Sequence, residues 1–513
     1  MYDLIYNGNI ISMDSNNTVY KWMLINDGKI MDCGIYDGYH KYLEISKKPL
    51  DLKGKTVLPG FIDSHIYLVQ TGINKLAVDL SSCKSFEDIF SKLEERALKE
   101  PKGTLIRGVK LDEVNLIEKR LPNRHDLDKR FQNHPIWINR IEKHTSIVNS
   151  LAYTNLKLPF NLQGIEYEDG APTGIVYDRA NAFITNKFYN QITDQQRKEG
   201  MELAFQHALR CGITTVNAME GGFAFCDRDG EYIYNHQNEF PIDVVLFYQT
   251  LDLEKLKQMN IPRVGCLLLD GSIGSRTAAV SEPYHDMKES YGSLYFSEKN
   301  LKDFVKKAHL ADLQIAIHAV GDRAIDMALD ALEETLTMYP NDNHRHRIEH
   351  YELPSMDAIK RTASLNVIAS MVPNAIEYWS KAGAAYEVRL GRERLATNNP
   401  FRDLLNHGVT VIGGSDSDAT EMNPIMSLHT LVNGSNPRQK TSVYEAVRIF
   451  TIDAAYGIFQ EHLKGSLEIG KIADLVVLDQ NPFTCNPLEI KSIVVHETVK
   501  NGRSIYCAGD HVE

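Results

Sequence analysis

Cysteine is scarce in this chain: seven in 513 residues, an odd number scattered from Cys33 to Cys507 with no Cys-x-x-Cys pair. That pattern excludes a disulfide framework and a zinc knuckle, and it suits a reducing cytoplasm. No uncharged apolar stretch reaches the roughly 18 residues that a membrane helix needs. The opening segment MYDLIYNGNII alternates like a strand and does not read as a leader peptide, so neither secretion nor membrane spanning is expected. Positive charge is short as well: 56 Lys and Arg stand against 68 Asp and Glu, a formal net charge of -12. A nucleic-acid surface needs clustered cations, so no nucleic-acid partner is expected. Internal repeats, low-complexity runs and long linkers are all missing, and nothing cuts the chain into independent modules.

What is present is enough apolar material, 43% of residues, for one barrel-sized domain and a smaller companion. Residues 1–56 carry short β patterns broken at Asn-Gly and Asp-Gly, the chemistry of tight hairpins. The same texture returns in GSLEIGKIADLVVLDQNPF (465–483) and SIVVHETVKNGRSIYCAG (492–509). Residues 1–56 and 465–513 are therefore expected to build one β-sandwich domain from both chain ends. Between them, over 57–464, apolar strands alternate with helical patterns. Eight strands are predicted, at 57–65, 212–220, 243–250, 264–272, 314–322, 347–351, 366–372 and 409–416. Eight is the number that closes a TIM-type (β/α)8 barrel, so the fold class is α/β. Residues 80–190 make the connection after the first strand far longer than an ordinary βα unit, and they are expected to form a subdomain capping the barrel mouth.

Polar residues follow these buried runs at the strand ends: His65, Cys266 or Asp270, His318, His350 and Asp416. A single histidine after a strand is more often a hydrogen-bonded core residue than a ligand. Three histidines and an aspartate are different, because a barrel gathers its C-terminal strand ends over one cavity. Neutral imidazoles and a carboxylate suit zinc and similar divalent ions. Residue 67 shares a strand face with His65. A metal site would favour imidazole there too, but the residue is Tyr67.

In family order, the strings LPGFIDSH, LLLDGSIGSRTAAV, IAIHAVGDRAID, RIEHYE, VIGGSDSD with MNP shortly after, and the tail GSLEIGKIADLVVLDQNPF make the sequence resemble the amidohydrolase superfamily, and within it amidohydrolase family 3, the YtcJ-like branch. The resemblance runs over nearly the whole chain, including the KHTSIVNS segment of the insertion. It implies a distorted (β/α)8 barrel with a β-sandwich from the termini, and metal-assisted hydrolysis of an amide, formamide or cyclic amide bond of a small polar molecule. His65, His318 and His350 match the strand-1, strand-5 and strand-6 metal ligands. Asp416 matches the strand-8 aspartate, a metal-site residue that takes a proton from the attacking water and passes it to the leaving nitrogen. The resemblance also implies a homodimer, and it brings His144 down to the mouth as a substrate contact, where a solvated loop histidine is the alternative.

Two positions depart from the family pattern. Tyr67 replaces the second strand-1 histidine, and Cys266 stands where many relatives carry a bridging lysine. Without these two groups a binuclear site is hard to build, so about one divalent ion per chain is expected, zinc first. Cys266 is expected as its thiolate ligand, as in amidohydrolases of the D-aminoacylase type, with space-filling as the alternative. The ion is expected nearer His318 and His350 than His65. Tyr67 could orient water, donate to an oxyanion, coordinate weakly or simply pack. Arg276, on the glycine-containing loop after strand 4, could clamp a substrate carboxylate or tie the loop to an acidic neighbour. His344 and His346 precede a strand and are expected to be exposed. The competing functions are a one-metal deaminase and a non-catalytic small-molecule-binding relative.

Overall fold

The eight apolar runs of the middle segment form barrel strands 1 (Phe61–Ile66), 2 (Ile213–Gly221), 3 (Asp243–Gln249), 4 (Arg263–Leu268), 5 (Gln314–Ala319), 6 (Arg347–His350), 7 (Ile368–Met371) and 8 (Val411–Gly413). The structure is a computed structural model describing residues 1–141, 145–222, 226–381 and 383–509. Neighbouring strands pair in parallel in the order 8-7-6-5-4-3-2-1. Every residue of strands 1, 2 and 5 is buried, including polar ones such as Asp63, His65, Asn217, Glu220 and His318. Helices return the chain between strands. Ser297 and Ser355 cap two of them, Glu298–Leu310 and Met356–Ser364, by accepting the backbone N–H of Asn300 and Ala358; such a cap is worth about 1 kcal/mol.

Strands 8 and 1 meet without a full ladder. Asp416 N–H donates to His65 O at 2.8 Å and Tyr67 N–H to Ser417 O at 3.1 Å, and these bonds nearly close the barrel. Gly414 permits the approach, since a Cβ there would stand 2.5 Å from the His65 backbone nitrogen.

A second sheet joins both chain ends. Its order is Arg503–Cys507, Val495–Lys500, Leu475–Leu478, Thr56–Pro59, Leu4–Ile11, Val19–Asn26 and Lys29–Gly34, with Pro49–Asp51 also paired to Leu4–Ile11. The run expected to begin the barrel at residue 57 is split between the two sheets. Thr56–Pro59 pairs antiparallel with Leu475–Leu478, Gly60 N–H donates to Asp474 O at 2.8 Å, and only Phe61 starts the barrel. Pro59 has no N–H to continue a ladder, and the chain changes sheets immediately after it.

The chain divides into two compact units, Met1–Leu68 with Phe205–Glu513, and Val69–Ala204. The second unit contains the 80–190 segment. Its six-stranded sheet runs Ile165–Glu168, Ala171–Tyr177, Thr145–Val148, Ile136–Arg140, Ile106–Leu111 and Val78–Asp79. Apolar cores line it, one around Ile89, Leu93, Ile136 and Ile138 and one around Trp137, Val148 and Ile184. Among the described residues no helix is long and apolar enough to cross a membrane.

His344 and His346, expected to be exposed, are buried. His309, on the helix Glu298–Leu310, lies against them and completes a hydrogen-bonded chain. Ile315 N–H donates to His346 Nδ1 at 3.1 Å, His346 pairs through Nε2 with His309 Nδ1 at 2.9 Å, and His309 Nε2 donates to Tyr339 O at 2.9 Å. His344 accepts His346 N–H at Nδ1 and donates from Nε2 to Leu365 O, both at 2.8 Å. All six ring nitrogens are committed in neutral rings. Burial, and then the neighbouring imidazoles, hold His346 well below its ordinary pKa, and burial first of all lowers His344 too. Below about pH 6.5 the unfolded chain therefore binds protons that the folded chain refuses, so stability present above that pH is lost as pH falls. His346 alone should contribute up to about 1.4 kcal/mol per pH unit in that range. Urea midpoints at pH 7.5 and 5.5 test this, and equal midpoints would contradict it.

Candidate metal centre

His65 is the penultimate residue of strand 1, His350 ends strand 6, and Asp416 follows strand 8 in the chain. Among the described residues, one ligand atom from each of these three lies within 4.8 Å of the others, and no other set of three or more histidine, cysteine, aspartate or glutamate side chains converges in this way. His65 Nε2 is 3.6 Å from Asp416 Oδ1. The His65 and His350 ring centroids are 5.0 Å apart. Two of the three donors sit on left-handed backbone, His350 at φ 71° and Asp416 at φ 50°. A non-glycine residue held there costs about 1–3 kcal/mol and persists only where its surroundings over-determine it.

Electrostatics prepare each imidazole differently. Burial, then His318 and His65, hold His350 well below its ordinary pKa and keep it neutral, the form that binds metals. For His65 burial again opposes charge, but the carboxylates of Glu349 and Asp416 outweigh it and raise the pKa. His65 Nδ1 lies 2.6 Å from Glu349 Oε2. Burial likewise works against charge on Glu349, yet Arg347 and His65 win and hold its carboxyl down to about 2. His65 Nε2 is buried and makes no hydrogen bond. That unpartnered nitrogen, beside the neutral His350 imidazole and a carboxylate, fits a divalent cation of the zinc type.

The remaining sequence candidates fall in different places. His318 is next to the trio, its ring centroid 4.4 Å from that of His350, and its Nδ1 is 3.3 Å from Asp270 Oδ1. Asp270 is itself pinned by the N–H groups of Ala279, Val320 and Gly321 at 2.8–3.0 Å. Cys266 lies in an apolar cluster with Met219, Val245 and Phe247, outside the trio, and burial above all pushes its thiol pKa well up. The convergence thus takes in His65, His350 and Asp416 of the expected ligands, with Cys266 outside it. Tyr67 packs on the same apolar cluster, its ring edge-on to His65 at 5.6 Å. Burial first, then nearby Cys266 and Asp416, raise its phenol well above the usual range. Arg276 makes a fork with Asp286 at 3.1 and 2.7 Å, the loop-tying alternative, and Arg389 holds the same carboxylate. His144 lies outside the described residues.

One residue escaped the sequence reading. Glu352, two positions beyond His350, is buried with Oε2 lacking a hydrogen-bond partner, and burial raises its carboxyl to about 7. The final glutamate of RIEHYE was its only signal, and a surface carboxylate would have looked the same.

The sequence profile of the amidohydrolase family matches residues 49–506. The chain belongs to the amidohydrolase family. As an amidohydrolase it falls among enzymes acting on carbon–nitrogen bonds other than peptide bonds. It is 27% identical to the putative amidohydrolase YtcJ of Bacillus subtilis (strain 168), over 96% of each chain. It is 25% identical to the N-substituted formamide deformylase of Arthrobacter pascens, over 97% of each. Among solved structures, an uncharacterized metal-dependent hydrolase from Pyrococcus furiosus superposes on this amidohydrolase with a TM-score of 0.80 at 28% identity, covering 94% of this chain and 100% of that one.

Proposed function

We propose that this amidohydrolase hydrolyses the C–N bond of a small amide, an N-substituted formamide in the first instance, with one zinc ion per chain. The observation that carries the reading is the convergence of His65, His350 and Asp416 within 4.8 Å around the unpartnered His65 Nε2. These three residues would hold the ion, with His318 a further donor beside them and Cys266 a packing residue. When bound, such an ion supplies Lewis acidity, polarising a carbonyl and making water a stronger nucleophile.

The chain's own residues do the rest. Asp416 accepts the proton of the attacking water and returns it to the leaving nitrogen, so that a neutral amine departs. Tyr67, kept protonated by burial, donates to the oxygen that becomes negative in the transition state. His350 stays neutral as a ligand, and Arg276, committed to Asp286, keeps the strand-4 loop in shape. The proposal includes a cytoplasmic homodimer acting on a small molecule, supported by the seven free cysteines for the reducing setting and by the family resemblance for the dimer.

Metal analysis and a formate assay on N-butylformamide test the reading together. The expected result is about one equivalent of zinc, with formate release lost on chelation and restored by zinc. Two equivalents would overturn the one-metal assignment. Absence of both metal and formate release would favour the non-catalytic relative, and ammonia release from an aminated heterocycle would favour a deaminase.

A further inference from the structure

An imidazole that binds a metal presents one nitrogen and commits the other, and whatever holds the second nitrogen sets the tautomer and the ring angle. For His65 that holder is visible. A carboxylate can only accept, so the 2.6 Å contact with Glu349 Oε2 puts the hydrogen on Nδ1 and leaves the lone pair on Nε2, facing Asp416. Glu349 is fixed in its turn. Arg347 binds Oε1 through Nε and Oε2 through Nη2 at 2.9 Å, the planar fork for which guanidinium and carboxylate are matched. The same Nη2 reaches the carbonyl of Ser64, the peptide immediately before His65, and Ser370 Oγ on strand 7 at 2.8 Å. Both charged side chains are fully buried, and the Arg347 guanidinium lies over the Phe247 ring at 4.7 Å. Strands 1, 6 and 7 are thus tied together at one point, and that point carries the His65 ring.

A buried ion pair is weak evidence for stability, since two apolar residues often stabilise as well. Its geometry here does something an apolar pair could not. One end grips the side chain of His65 and the other grips the backbone beneath it. We propose that Arg347 and Glu349 are positioning residues for the metal centre: together they set the tautomer and angle of His65 and thereby its affinity for the ion. The inference rests on the ligand set given under Proposed function.

Zinc binding by the full-length protein, measured by competition with a chromophoric chelator, reads the effect without any substrate. Glu349→Gln keeps the shape and removes the charge, and Arg347→Lys keeps the charge and removes the fork. Each should weaken zinc binding about 10- to 100-fold, the usual cost of losing such an outer partner. Ser370→Ala, which takes away only one support of Arg347, should give a smaller loss in a protein whose main pair is intact. The decisive arm is the double variant His65→Ala with Glu349→Gln. If Glu349 acts through His65, the double variant binds zinc no more weakly than His65→Ala alone, whereas a purely structural role gives losses that multiply. Multiplying losses, or unchanged affinity in Glu349→Gln and Ser370→Ala beside a wild-type protein that binds zinc, would overturn the positioning role alone. A wild-type protein that binds no zinc would overturn the ligand set itself and the inference with it.

Discussion

Asp416→Asn should reduce kcat about 10²- to 10⁴-fold, the range that general acid–base help supplies, while leaving the thermal midpoint and KM nearly unchanged. The side chain sits where it does because its backbone is pinned, with Asp416 N–H on His65 O at 2.8 Å and φ at 50°, and its Oδ1 lies 3.6 Å from His65 Nε2. Asparagine has the same shape and offers an oxygen in the same direction. What it cannot do is take a proton and give it back. Steady-state kinetics beside a melting curve separates this from misfolding, and turnover within a few-fold of wild type would remove Asp416 from the proton path.

Asp474→Ala should cost about 3–5 kcal/mol of stability, the range for breaking a buried charge pair from one side. Asp474 closes a buried network where the terminal sheet meets the barrel. Lys500 Nζ lies 2.7 Å from Asp474 Oδ2 and 2.8 Å from Asp243 Oδ2, and Lys464 contacts both aspartates and Thr215 Oγ1. Asp474 Oδ1 also accepts the N–H of Asn501 at 2.9 Å. Two lysines and two aspartates balance, and both lysines are buried. Removing Asp474 leaves two ammonium groups to share Asp243, whose side chain is 42% exposed. The exposed pair Lys99–Glu95 is the control, because a surface ion pair of that kind contributes only about 0–1 kcal/mol. Urea unfolding reads both, and similar small losses would mean that water enters the network and screens it.

These two sites differ in how much of them the sequence carried. The eight runs, their spacing and the polar residues at the ends of five of them were legible because buried strands are rich in apolar residues and a barrel collects its strand ends. His65, His318, His350 and Asp416 follow from that alone. Lys464 and Asp474 lie beside and in the family tail motif and Lys500 in the β-textured segment after it, yet nothing local pairs them with Asp243, more than 200 residues earlier.

By itself, then, the sequence determined that this is a parallel barrel of the amidohydrolase kind, with a β-rich domain drawn from both ends and a histidine-and-aspartate set at the mouth. Tertiary structure alone decided which donors meet. Period-two alternation fixes the face a side chain takes, but the direction of its last bonds depends on partners far away in the chain: Glu349 turns His65 toward Asp416, and Asp270 lies 3.3 Å from His318 Nδ1. His309, brought in by its helix, buries the neutral rings of His344 and His346. Asp286 takes the Arg276 guanidinium, and Arg389 shares that carboxylate. In each case a contact between distant segments outweighs the local pattern, because hydrogen bonds and ion pairs in a buried site are strong only when geometry and desolvation are set together, and only the folded chain sets them.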